Sequence, residues 1–236
     1  TIKILKNKKE LKNKYGFKKS DKILLFLPPS TTVFKPLTLK NYLTFQLGKI
    51  INNKNGYFVR PFPYKTFFES IIKLSKEHNF KLVIKARDKS YLPKSLINNI
   101  EYLFFDEDYY PSTMLELLSI SDLCLSTTNS TTVLEAASLK VPFISLSNID
   151  DYLIKYSNLF TKVKKLIFND SIGGLFNYPG VNYKVSFNKI IANDFNIIRN
   201  IKTDKKENRD YLDKYINYNN WDSSNQLINF INKKYN

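Results

Sequence analysis

One stretch of this sequence gathers side chains that could hold an anion. It reads Ser126-Thr127-Thr128-Asn129-Ser130-Thr131-Thr132 and runs directly into Val133-Leu134-Glu135-Ala136-Ala137-Ser138-Leu139. The apolar residues before it have the pattern of a strand and those after it the pattern of a helix. The loop therefore presents hydroxyls and unpaired backbone N–H groups at a helix start, where the peptide dipoles favour negative charge. A phosphate cradle is one reading. A local reading competes with it, because Ser and Thr are preferred N-caps and Thr132 with Glu135 has the spacing of a capping box. The residue types alone leave both open.

Other candidates lie where an apolar run ends. Lys85 and Arg87, in Lys85-Ala86-Arg87-Asp88, offer two cations to a phosphate or form a solvated strand end. Ser30 and Thr31 follow Pro28-Pro29 and are hydroxyl candidates for binding at the same rim. Tyr109 and Tyr110 could stack on a nucleobase or simply pack. His78, the only histidine, closes a helical pattern and reads as a helix C-terminal cation rather than a catalytic group. One histidine and one cysteine exclude a tetrahedral zinc site and argue against a Ser-His-Asp triad. The phosphate-binding motifs G-x-x-x-x-G-K-[ST] and G-x-G-x-x-G are both missing, which removes the common kinase, ATPase and dehydrogenase readings. No metal and no resident cofactor are expected.

These residues need a scaffold, and the apolar pattern supplies it. Lys22–Leu27 (KILLFL) and Phe80–Lys85 (FKLVIK) are continuous apolar runs of the kind buried on both faces of a parallel sheet. Ile100–Phe105, Asp122–Leu125 and Val141–Leu146 read as further strands, the last with Pro142 near its start. Between them Thr66–His78, Ser112–Ile120 and Thr131–Leu139 read as helices. Such alternation predicts an α/β fold, a doubly wound parallel sheet with C-terminal helices over Lys205–Tyr215 and Asp222–Lys233. Residues 1–20 read as a linker helix stopped by Gly16, and 21–236 as one α/β domain. Residues 33–63 form an insertion after the first strand with a helix over Thr38–Ile51. From about Ile149 the chain is poor in strand signals.

The chain has 236 residues, 43% hydrophobic and 25% charged, enough for a sizeable core without disulfides. Its single cysteine, Cys124, fits a reduced cytosolic compartment, and no apolar stretch reaches the length of a membrane span. The formal net charge is +16, which invites an anionic partner. Only four of the 37 basic residues are arginine and the lysines are spread along the whole chain, so nucleic acid is not the expected partner.

Three strings carry a likeness: KKELKNKYGFKKSDKILLFLPPS, KLVIKARD and SDLCLSTTNSTTVLEAASLKVPFISL. Together they resemble the carboxyl-terminal, donor-binding half of GT-B glycosyltransferases, nearest to the CDP-glycerol glycerophosphotransferases and capsular polysaccharide transferases. Ser121-Asp122, Ser130-Thr131, Glu135 and Pro142 match the spacing of those families. Tyr178-Pro179-Gly180 resembles their late Pro-Gly, and Asn208–Ile231, with Asp222-Ser223-Ser224, their closing helices. The likeness covers most of residues 5–231. It implies a Rossmann-like half of a GT-B fold in which Ser130 and Thr131, with Thr128 and Asn129 beside them, hold a donor diphosphate and Glu135 accepts from ribose hydroxyls. One departure stands out: Arg87 occupies the place of a histidine in the families' Lys-Pro-His-Pro-like sequence, and a guanidinium cannot serve as a base at neutral pH.

The expectation is therefore a donor-binding domain for a nucleotide-activated sugar or polyol phosphate, used as substrate, in surface-polysaccharide synthesis. The acceptor domain, amino-terminal in this family, would be missing from the chain, and the isolated chain would be inactive. A cytoplasmic location follows, with peripheral contact to anionic membrane at its inner face. A UDP-sugar 2-epimerase-like enzyme and a non-catalytic α/β domain that binds a partner or anionic membrane are the competing readings.

Overall fold

The computed structural model describes residues 7–29, 38–51, 61–86, 92, 100–105, 113–149, 152 and 172–216. Arg87, Ser30, Thr31, Tyr109, Tyr110 and the helix expected over Asp222–Lys233 lie outside them.

The elements follow in the order α1 (Lys8–Lys14), β1 (Lys22–Leu27), α2 (Leu39–Ile51), α3 (Tyr64–Glu77), β2 (Phe80–Ala86), β3 (Tyr102–Phe105), α4 (Thr113–Ile120), β4 (Leu123–Ser126), α5 (Thr132–Ser138), β5 (Phe143–Ser147), β6 (Asn182–Ser186), α6 (Phe187–Ile191), a 3-10 turn (Asn196–Asn200) and α7 (Lys205–Ile216). The six strands form one sheet in the order β3-β2-β1-β4-β5-β6, every pairing parallel. This is the doubly wound arrangement, and the order reverses between β1 and β4.

Successive residues of each strand feed opposite cores, as the period of two requires. Leu24, Phe26, Ile84, Ile144 and Val185 face one layer, where α3 and α6 bring Phe67, Phe68, Ile71, Phe187 and Ile190. Ile23, Leu25, Val83, Cys124 and Phe143 face the other, where α1, α4, α5 and α7 bring Leu11, Leu117, Val133, Ala136 and Tyr211. The helix expected as a linker thus packs into the second core. Gly16, at φ +77°, ends it while Phe17 N donates to Lys12 O and Gly16 N to Asn13 O. That is a Schellman closure, which needs a residue tolerant of positive φ.

Ser121-Asp122 has an architectural role. Ser121 Oγ donates to Leu117 O at 2.6 Å, and Asp122 exchanges backbone and side-chain bonds with Ile23, its N donating to Ile23 O and its Oδ2 accepting from Ile23 N, both at 2.9 Å. The pair seals the amino ends of β1 and β4. Tyr178-Pro179-Gly180 likewise docks α7: Gly180 O accepts from Asp204 N at 2.8 Å, and Gly180 has φ +81°. The sheet also contains β6, a strand for which the sequence carries no apolar run. It is an edge strand whose Asn182, Lys184 and Ser186 share one polar face, so its pattern is too weak to separate from loop.

Candidate functional site

In an open parallel sheet the crevice for a ligand lies beyond the carboxyl ends of the strands, at the point where the order reverses. Residues 127–131 occupy that place. Thr127 ties the loop to β1, its N and Oγ1 both donating to Leu27 O at 3.2 and 3.1 Å. Asn129 is buried, 8% exposed, and its Oδ1 accepts a hydrogen bond from Lys184 Nζ. The Lys184 side chain therefore reaches from β6, past β5, to the loop after β4. Sequence reasoning missed Lys184 because it missed the strand that aims it. The only signal was the alternation in Asn182-Tyr183-Lys184-Val185-Ser186.

Ser130 and Thr131 stand at the start of α5, Ser130 half-buried and Thr131 exposed. The capping box expected of Thr132 and Glu135 does not form in that register. Thr132 is already helical, and the N-cap, Thr131, has helical φ and ψ and makes no side-chain cap bond. Ser130 acts instead: its Oγ accepts from Thr132 N at 3.3 Å and donates to Thr132 Oγ1 at 3.0 Å. The helix begins one residue earlier than a box with Thr132 as cap needs, which leaves the Glu135 carboxylate without that duty.

Glu135 lies in the first turn of α5, with its carboxyl partly shielded from solvent. Partial burial of its carboxyl raises the pKa from the ordinary 4.5, and the charge of Lys85 opposes the rise. On β4, burial and then the Glu135 charge push the Cys124 thiol up, so this buried sulfur is inert. Lys85 and Cys124 lie on strands that flank β1 on either side. Glu135 is within electrostatic reach of both, which sets it over the reversal of strand order. Ser130, Thr131, Asn129, Thr128, Glu135 and Lys85 are thus brought to one rim, with Lys184 added. The arrangement offers two ammonium groups and several hydroxyls that can neutralise and bind an anion, and one carboxylate that can accept from hydroxyls.

His78 is at the other end of the sheet. It caps the C-terminus of α3, just before β2 begins. Burial first, then the charge of Arg199, lowers its pKa below the ordinary 6.5 against a smaller opposing effect of Glu77. The direction of that shift disfavours the cation expected from its position alone. No group of His, Cys, Asp and Glu among the described residues could hold a metal ion.

No family profile matches the chain, and no curated protein matches it. Solved structures do. A variant of the wall teichoic acid polymerase TagF is 15% identical over 96% of this chain and 47% of its own, with a TM-score of 0.46. A second TagF variant is 16% identical over the same shares, with a TM-score of 0.44. The E. coli ADP-heptose lipopolysaccharide heptosyltransferase II is 13% identical over 61% of this chain and 38% of its own, at 0.37. The chain spans about half the length of the TagF chains. The fold rests on the strand order and register above, and the chemistry on the residues of the site.

Proposed function

We propose that this chain is the donor-binding half of a transferase that uses a nucleotide-activated sugar or polyol phosphate in envelope-polysaccharide synthesis. One observation carries the reading: the Lys184 ammonium bonded to Asn129, beside Ser130 and Thr131, at the strand-order reversal that Glu135 and Lys85 also approach. A diphosphate needs cations and N–H or O–H donors converging from more than one element, and β2, β6 and the loop after β4 supply them. Glu135 then accepts from the vicinal hydroxyls of the ribose. No helix of the described residues is long and apolar enough to cross a membrane. A nucleotide-dependent enzyme of this kind works where nucleotides are made, in the cytoplasm, next to the inner face of the membrane.

Thermal melting of the chain with CDP and UDP compounds tests the proposal. A ligand at a hundred times its Kd stabilises the fold by about 2.7 kcal/mol. Replacing Ser130 and Thr131 together by Ala, or Lys184 by Met, is expected to weaken nucleotide binding by about 1–3 kcal/mol each. Failure of every nucleotide to raise Tm overturns the reading and favours a non-catalytic domain.

A further inference from the structure

A second cavity, of about 570 Å³, opens on the opposite rim, at the amino ends of β4 and β5, between the end of α5 and the first turns of α7. That volume is in the range of small-molecule sites, roughly 300–1,000 Å³. Lys140, Lys202, Lys205 and Arg209 line it, with Asp122 as the acidic residue. Asp122 is already engaged, by Ile23 N at 2.9 Å and Lys8 Nζ at 3.5 Å, and Arg209 is 3.9 Å from Asp213. Among the described residues the ammonium groups of Lys140, Lys202 and Lys205 have no ion-pair or hydrogen-bond partner.

Lysines are common in this chain, so cations alone mark nothing. The lining adds a second feature. Asn208, 4% exposed, donates its Nδ2 to Ala137 O at 3.1 Å, while its Oδ1 has no partner. A buried acceptor without a donor is unfavourable, and a ligand that brings an O–H or N–H relieves it. Pro142, Ile201 and Leu212 give the same cavity an apolar wall for a carbon skeleton.

We infer that this crevice binds a small organic phosphate that carries a hydroxyl. A phosphate ester brings up to two charges and several oxygens to be shared among three ammonium groups, and its hydroxyl faces the amide of Asn208. The site is separate from the donor crevice, at the other ends of the same strands, and does not depend on the function proposed above. The same chemistry is found in soluble phosphate esters and in the headgroup of phosphatidylglycerol.

The test is a backbone-amide NMR titration of the whole chain with glycerol 3-phosphate, against sodium chloride at matched ionic strength, with sedimentation on phosphatidylglycerol vesicles as a second arm. Saturable shifts confined to Lys140 and to residues 202–209, weakened at least tenfold in the Lys202→Glu, Lys205→Glu double variant, support a soluble ligand. Binding to vesicles alone, abolished by the same charge reversal, supports the headgroup. Asn208→Ala checks the floor, with loss of affinity expected for the hydroxylated ester and not for inorganic phosphate. Both variants are first shown to melt cooperatively. Shifts that sodium chloride reproduces, or equal binding by the charge-reversed chain in both arms, overturn the inference.

Discussion

Glu135 is a residue whose two readings one substitution separates. Its carboxyl is held with a raised pKa, by partial burial first and against the attraction of Lys85. Between 4.5 and that raised value the folded chain binds more protons than the unfolded one, so stability falls as pH rises through this window. Glu135→Gln is expected to remove that slope in urea midpoints measured from acid to neutral pH and to leave the neutral-pH fold at least as stable. The same change is expected to weaken nucleotide binding, because an amide oxygen is a poorer acceptor for two hydroxyls than a carboxylate. Unchanged affinity would remove the ribose role. Since Ser130, not Thr132, supplies the bond to the start of α5, the substitution does not uncap the helix.

At the scale of elements, two glycines at positive φ close two junctions in physically different ways. Gly16 has φ +77° and open space where a Cβ would stand, so Gly16→Ala carries only the strain of the left-handed backbone, about 1–2 kcal/mol. Gly180 has φ +81° and would place a Cβ 3.0 Å from Asp204 Cβ and 3.1 Å from Glu207 Cβ. Gly180→Ala is therefore expected to lower the urea midpoint more than Gly16→Ala, by pushing α7 off the turn before β6. Equal effects would show that α7 yields without loss. The late Pro-Gly was noted only through the family resemblance, and β6, an edge strand with Lys184 and Asn182 on one face, carries no local pattern that marks it.

At the scale of the molecule, the described sheet supplies one wall of the proposed site. The only histidine lies at the amino end of β2, a strand's length from the loop after β4, and Cys124 is buried with its thiol pushed up. Orientation of an acceptor and exclusion of water are contributions of several kcal/mol that a second wall has to make. The 236-residue chain alone is accordingly expected to bind a nucleoside diphosphate without transferring sugar or polyol phosphate from a donor. Transfer to an added acceptor clearly above background, followed by release of radiolabelled nucleotide, would make the chain a complete enzyme.

What the sequence by itself determined is whatever a short window enforces. KILLFL and FKLVIK read as buried strands, Gly16 as the stop of a helix, and the run of hydroxyls before Val133 as the start of another. Those windows made the doubly wound sheet legible and marked the loop of residues 128–131 and Lys85 as candidates, while a binding role for Glu135 entered only through the family resemblance. Tertiary structure decided the partners across the chain. Lys184 reaches Asn129 only because β6 joins β5 in register, Ser145 beside Lys184. Asp122 closes β1 only because β4 lies next to it. Thr132 falls inside the helix and Ser130 accepts from its N, a bond that the box spacing did not predict, in a loop pinned at Thr127 to the end of β1. Each of these depends on contacts between residues far apart in sequence, and no local pattern encodes such a contact.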